Sequence, residues 1–276
     1  MSNWSRDARV PREWGFTLIE MLIVASIILI LAGLLLPTLM RSKSSAFSAS
    51  CMSNIKQLAM ANIVYESTWR SYVAWGSDRY GANLHRWHGV RKAASNSSEY
   101  DTGKSPLVLE VKTVSELCCP IWGDSVDTSR ASVERGGQGY GYNIHVGTRQ
   151  YLVDDQNSSE AYSSGVRSQD VSSPDTTVMF ADTAMLVSDV GDVDVHGELG
   201  GYSICAAPFG VNGKHTDLKI RNDPSIHFRH DALANVGWCD GHANPRHSDW
   251  TLDSDWRKNM LGFFGSSTDN DLFDLE

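Results

Sequence analysis

The chain predicts an α+β fold, a long N-terminal helix followed by a domain of antiparallel strands and long loops. Two observations carry this expectation. A 21-residue apolar run, Phe16 to Leu36, is followed by apolar positions at three- and four-residue spacing: Phe47, Cys51, Ile55, Leu58, Ala59 and Ile63. The second half instead offers short apolar runs between polar, glycine-rich stretches, the last run followed by Asp240-Gly241, a dipeptide favoured at hairpin turns.

The apolar run is broken only by Thr17, Glu20 and Ser26. As a helix it would span about 31 Å, enough to cross a bilayer core of about 30 Å. A carboxylate in such a segment costs about 2 to 3 kcal/mol near the middle and less near the interface, so Glu20 marks a functional position that needs a cation. The nearest covalent source is the α-amino group Phe16 would gain if the Gly15–Phe16 bond were cut. Residues 1–15 form a leader with Arg6, Arg9 and Arg12 against Asp7 and Glu13. Positive flanks stay cytoplasmic, which places the C-terminal part outside the cytoplasm. An ordinary secretory signal is cut after its apolar core, whereas here the cut would precede it.

Gly33 and Pro37 bracket a weak spot, because proline removes a backbone donor and crowds the preceding turn; a kink or local melting is expected there. The helix as a whole is predicted over 16–66, with its transmembrane part about 16–36. Lys43, Ser50, Asn54 and Lys56 would face solvent or neighbouring subunits.

A β-rich domain is predicted over 67–265. Trp69, Tyr72, Trp75, Tyr80, His85, Trp87 and His88 read as core and loop packing or as a stacking surface for sugar or peptide. Arg91 to Ser105 reads as a loop, Leu107 to Val111 as a strand, and Cys118-Cys119-Pro120 as a turn. Asp124 to Gly139 and Asp154 to Ser173 read as loops. Strands are expected at Tyr140 to His145, Thr177 to Ala181, Ile226 to His230 and Asn235 to Cys239. The acidic tail, 266–276, is expected to be mobile. Hydrophobic residues at 41% and charged residues at 21% are ordinary for a folded domain. Net charge is −9 and no dense Lys/Arg cluster lies beyond the leader, so nucleic acid is not an expected partner.

Gly15-Phe16-Thr17-Leu18-Ile19-Glu20 with its apolar helix resembles the cleavage and methylation signal of type IV prepilins and type II secretion pseudopilins, and Pro37 falls where many members carry a proline. The resemblance implies cutting after Gly15 by a membrane prepilin peptidase, methylation of Phe16, and a helix that serves as anchor and filament core. A second resemblance covers most of the chain. His230, nine intervening residues and Asp240-Gly241-His242 resemble the H-X9-DG element of a large pilin-like family. Cys51-Met52-Ser53-Asn54-Ile55-Lys56-Gln57-Leu58, Cys119-Pro120, Tyr140-Gly141-Tyr142-Asn143 and Pro174 through Asp182 match it in order. The implied fold is pilin-like with an enlarged β domain, and no reaction is implied. The chain departs from that pattern at Leu58-Ala59-Met60, where a glycine is common, and in the extra thiol of Cys118.

A carboxylate and two imidazoles, Asp240 with His230 and His242, suit a divalent metal, and Asp182 would complete the set of candidate ligands if its strand end lies beside the hairpin. The competing reading is a structural bracket in which His230 bonds Asp240 and pins the loop onto the turn. Asp189, Asp192 and Asp194 form a second acidic cluster that lacks the spacing of a calcium loop. Five cysteines are an odd number, so at least one is left over or pairs between chains. The family pattern makes Cys51 and Cys119 the preferred bridge, worth about 2 to 4 kcal/mol. No Gly-x-Ser-x-Gly elbow, phosphate-binding glycine loop or His-Glu-x-x-His helix occurs in the sequence, and no enzyme is expected.

The expectation is a minor prepilin-like subunit without a cofactor, single-pass in the inner membrane with its C-terminal domain in the periplasm. It would assemble into a type II pseudopilus or type IV pilus-like filament. Its partners would be prepilin peptidase, other pilin or pseudopilin subunits, the inner-membrane assembly platform and membrane lipid. The alternatives are a membrane-tethered glycan- or metal-binding module, or a metal-dependent hydrolase built on the four candidate ligands.

Overall fold

A computed structural model describes residues 16–92, 100–110, 118–122, 139–149, 158–186, 199–212, 215–251, 254–273 and 275. The chain divides into two compact units, one ending at Lys43 and one running from Ser44 to Glu276. One helix, α1 (Leu18–Trp69, 52 residues), begins in the first unit and ends in the second. It outlasts the expected end at residue 66, and it runs through Gly33 and Pro37 without the local melting anticipated there. Thr38 Oγ1 donates to the Leu35 carbonyl at 2.8 Å beside the proline, a bond that does not replace the amide donor Pro37 lacks.

In the first unit every described residue is exposed, including Leu22, Ile27, Leu31 and Leu36. This segment is long and apolar enough to cross a membrane.

The second unit is built on a five-stranded sheet. Its strands are β1 (Tyr140–Asn143), β2 (Val178–Asp182), β3 (Ile204–Cys205), β4 (Leu233–Trp238) and β5 (Ala243–His247), in spatial order β5-β4-β2-β1-β3. The pairing is antiparallel except that β1 and β3 are parallel, which corrects the expectation of a wholly antiparallel sheet. Pro245 sits on the edge strand β5, where its missing N–H costs no ladder bond. Strand β2 is buried at all five positions because both sheet faces are covered, so it reads as a continuous apolar run rather than an alternating one.

One face lies under α1. Cys51, Ile55, Leu58, Ala59, Ala61 and Asn62 are the helix's buried residues. Contact with β4 is close: a Cβ on Gly237 would lie 2.7 Å from Ile55 Cγ2, and one on Gly241 2.8 Å from Met60 Sδ. Asn235 Nδ2 reaches the Ser48 carbonyl at 3.4 Å. Along β4 the partners thus advance from Ser48 through Ile55 to Met60, so helix and strand run side by side in one direction. The other face is covered by Phe228, Phe264 and Phe273, among others.

Several local readings need correction. Leu107 and its neighbours form a short helix, Pro106–Glu110, rather than a strand. Ser105 Oγ accepts from Leu107 N–H at 3.1 Å and Pro106 supplies a preset φ, a helix-start pair that overrides the weak alternation. The loop expected over 154–173 contains a helical turn, Ser159–Tyr162, capped by Ser158. The extended run expected to reach His145 closes at Asn143, and the one from Ile226 is only Ile226–His227.

The tail is not a loose end. Asn270 and Phe273 are fully buried, Val178 N–H donates to the Leu272 carbonyl at 2.8 Å, and Ser172 N–H to that of Leu275 at 3.0 Å. Two apolar anchors, Phe273 and Leu275, dock a segment whose acidic composition suggested mobility.

Candidate functional site

Four elements converge beneath α1. The helix supplies Cys51, the turn before Pro120 supplies Cys119, the end of β2 supplies Asp182, and the loop entering β4 supplies Arg229 and His230. All five are buried. His230 faces Leu233 across a two-residue turn, and both turn residues, Asp231 (φ 55°) and Ala232 (φ 63°), are left-handed. That backbone suits a tight hairpin and returns the chain directly into β4.

The two sulfurs of Cys51 and Cys119 lie 2.7 Å apart. Arg229 Nε donates to Cys119 Sγ at 3.2 Å, and its Nη2 donates to Asp182 Oδ1 at 2.7 Å and to the Gly139 carbonyl. The guanidinium also lies 5.0 Å from the Trp122 ring centroid. His230 Nε2 stands 3.4 Å from Asp182 Oδ2 and 3.7 Å from Cys119 Sγ. Asn235 N–H donates to Asp182 Oδ2 at 2.7 Å, so both carboxylate oxygens are engaged.

Charge follows from this geometry. The hydrogen bond from Cys51 is the main influence holding the Cys119 thiol well below its ordinary range, with His230 and Arg229 adding to it against burial. Donating that bond pushes the Cys51 thiol up, as does burial. Burial works against a charged His230, but its bonds to Asp182 and Cys119 prevail and raise it to about 9. Burial also opposes the Asp182 carboxylate, which Arg229, His230 and the Asn235 amide nevertheless hold below the usual range. In the reduced cluster the Arg229 and His230 side chains thus favour the anionic forms of Asp182 and of Cys119.

No family model, curated protein or solved structure matches this chain. The family resemblance therefore rests on the motifs themselves.

The four candidate metal ligands do not form one site. His230 points to Asp182 and Cys119, while the Asp240 carboxylate holds the His242 imidazole at 2.6 Å on the surface. The proposed His230–Asp240 bracket is likewise replaced by these two separate pairs. Cys51, Cys119, Asp182 and His230 do bring their ligand atoms within 4.8 Å of one another. A tetrahedral zinc, however, holds two thiolates about 3.7 Å apart at a Zn–S distance of about 2.3 Å. The Arg229 cation already occupies the set, and the remote Nδ1 of His230 is buried without a partner among the described residues, where a metal-bound imidazole almost always has one. The set fits a charge-balanced thiol pair better than a cation site. Asp189, Asp192 and Asp194 lie outside the described residues, as does Gly15.

Asp240 and Gly241 instead make the turn from β4 to β5. Gly241 has φ +90°, a conformation that favours glycine, and it lies against the flexible ends of Met60 and Ile63. Trp75 and Trp87 are 1% and 2% exposed, so neither ring is available to stack on a glycan.

At the front of α1, Glu20 has a local partner that the charge argument overlooked. Thr17 N–H and Oγ1–H donate to Glu20 Oε2 at 2.8 and 2.6 Å, and Glu20 N–H returns a 3.3 Å bond to Thr17 Oγ1. This is a capping box, legible in the Thr-x-x-Glu spacing. Arg229 is the other residue missed, since a lone arginine beside a histidine carries no sequence signal of burial.

Proposed function

We propose that this chain is a prepilin-like structural subunit. Prepilin peptidase cuts after Gly15, Phe16 becomes the methylated N-terminus, and α1 anchors the chain in the inner membrane as a single pass. The β-rich unit lies in the periplasm. An inner-membrane assembly platform then inserts the helix among those of other pilin or pseudopilin subunits, making this chain a minor component of a type II secretion pseudopilus or type IV pilus-like filament.

The observation that carries the reading is the division of α1. Its front is apolar and exposed over every described residue as far as Met40, while its rear is packed on a sheet. A helix that served only its own domain would not leave so many leucines and isoleucines uncovered. The capping box satisfies the Glu20 hydrogen bonds locally but supplies no positive charge, so the carboxylate keeps the charge that the amine of an adjacent Phe16 would neutralise.

N-terminal sequencing and mass measurement of the protein from its native membrane tests the proposal. The expected mature chain begins with methylated Phe16, and a chain that retains residues 1–15 would overturn it.

A further inference from the structure

The proposed function gives the cluster beneath α1 no role, yet it concentrates charge around two thiols. We propose that Cys51 and Cys119 are a redox-active pair, closed to a disulfide and reopened by thiol–disulfide exchange, with Arg229 and His230 as positioning residues that stabilise the open form.

The two sulfurs have unlike surroundings. Cys119 receives Arg229 Nε at 3.2 Å, faces His230 Nε2 at 3.7 Å and accepts from Cys51. Cys51 stands among Asp182, Cys119 and the Tyr140 hydroxyl, and among the described residues Arg229 gives its hydrogen bond to Cys119 and acts on Cys51 only through longer-range charge. Exchange expels the sulfur that is better stabilised as a thiolate, and stabilising the reduced form makes a disulfide easier to open. The direction follows. A dithiol donor, as its thiolate, attacks Cys51 Sγ; the Cys51–Cys119 bond breaks and Cys119 leaves as a thiolate. The donor's second sulfur then attacks the mixed disulfide, takes the donor to its disulfide and releases Cys51. Two electrons pass from donor to pair. Of the donor's two protons, one goes to Cys51 and one to His230 Nε2, where Asp182 faces it. Closure by a disulfide oxidant is the reverse.

Both sulfurs are buried and the neighbouring Cys118 is exposed, so exchange with a small dithiol requires the turn carrying Cys119 to move.

The test equilibrates the full-length chain in detergent with graded mixtures of reduced and oxidised glutathione. The samples are quenched in acid, alkylated, and the Cys51 and Cys119 peptides read by mass spectrometry. The pair is expected to open within the glutathione range. Arg229→Gln and His230→Gln should each make it at least tenfold harder to open, about 30 mV for a two-electron couple. Independently of any variant, the ultraviolet thiolate absorbance of the reduced wild type should persist below the ordinary cysteine range of about 8.5. A pair that stays closed throughout, variants with unchanged equilibria, absorbance that titrates at or above that range, or thiols that react only after a chelator strips a stoichiometric metal would each overturn the proposal. None of these readouts involves residues before Ser44, so the result is separable from the filament reading.

Discussion

Arg229 and Asp182 form an ion pair, Nη2 to Oδ1 2.7 Å, with side chains 1% and 0% exposed. Such a pair adds little net stability, because desolvation offsets attraction, but losing one partner strands the other charge. Arg229→Met is therefore expected to destabilise the protein by about 3 to 5 kcal/mol in urea unfolding. Adding Asp182→Leu should recover most of that loss, which distinguishes a stranded charge from lost packing.

Stability should depend on pH through the same cluster in its reduced form. His230 is raised to about 9 from an unfolded value of about 6.5, so its contribution is full below about 6.5 and is lost as pH rises through about 9. Asp182 is lowered, so its contribution is present above its unfolded value of about 3.9 and is lost as pH falls through the folded one. Cys119 is also lowered and gains stability as pH rises toward its unfolded value of about 8.5, which offsets His230 over that interval. Urea midpoints of the reduced protein should therefore fall on the acid side and, on the alkaline side, only above about 8.5, where His230→Gln should flatten the limb.

The capping box separates two roles of Glu20. Glu20→Gln keeps the reciprocal bonds with Thr17 but removes the charge, whereas Thr17→Ala keeps the charge and removes the cap, at about 1 kcal/mol. If the carboxylate meets a neighbour's amine, Glu20→Gln is processed normally yet yields no filament by electron microscopy, while Thr17→Ala still assembles. Filaments of ordinary abundance from Glu20→Gln would remove the charge from the assembly argument.

Gly237→Ala is expected to cost about 1 to 3 kcal/mol, because the added methyl meets Ile55 Cγ2 at 2.7 Å and must push helix from strand. Thermal unfolding reads it, and shortening Ile55 to Val in the same chain should recover part of the loss.

Phe273→Ala should cost about 3 to 5 kcal/mol, and trimming the chain after Thr268 at least as much, because Phe273 is fully buried on the sheet. A truncated chain with an unchanged melting temperature would mean that the docked tail contributes nothing.

What the sequence disclosed was whatever its local chemistry could express. The α1 periodicity, the Asp240-Gly241 turn and the apolar run of β2 each depend on residues near one another, and each element was placed correctly. The Ser105-Pro106 helix start was also written locally but was overruled by a weak alternation. The tail's docking depends on Asn270 bonding both backbone groups of Phe209, a contact 61 residues distant. The pairing of His230 with Asp182 rather than Asp240 is of the same kind, since nothing in the spacing tells which strand end an imidazole will face.

The nine residues between His230 and Asp240 act as a gauge. The first two turn the chain at Asp231-Ala232, the next six are β4, and the last delivers Gly241 beneath Met60. One residue more or fewer would reverse which side of β4 meets the helix, taking Gly237 out of line with Ile55. Two would keep the sides but shift the turn by about 6.6 Å, more than a full helical turn along α1. The interval is thus a length standard, matching the distance from the thiol cluster to the glycine that lets the helix lie flat.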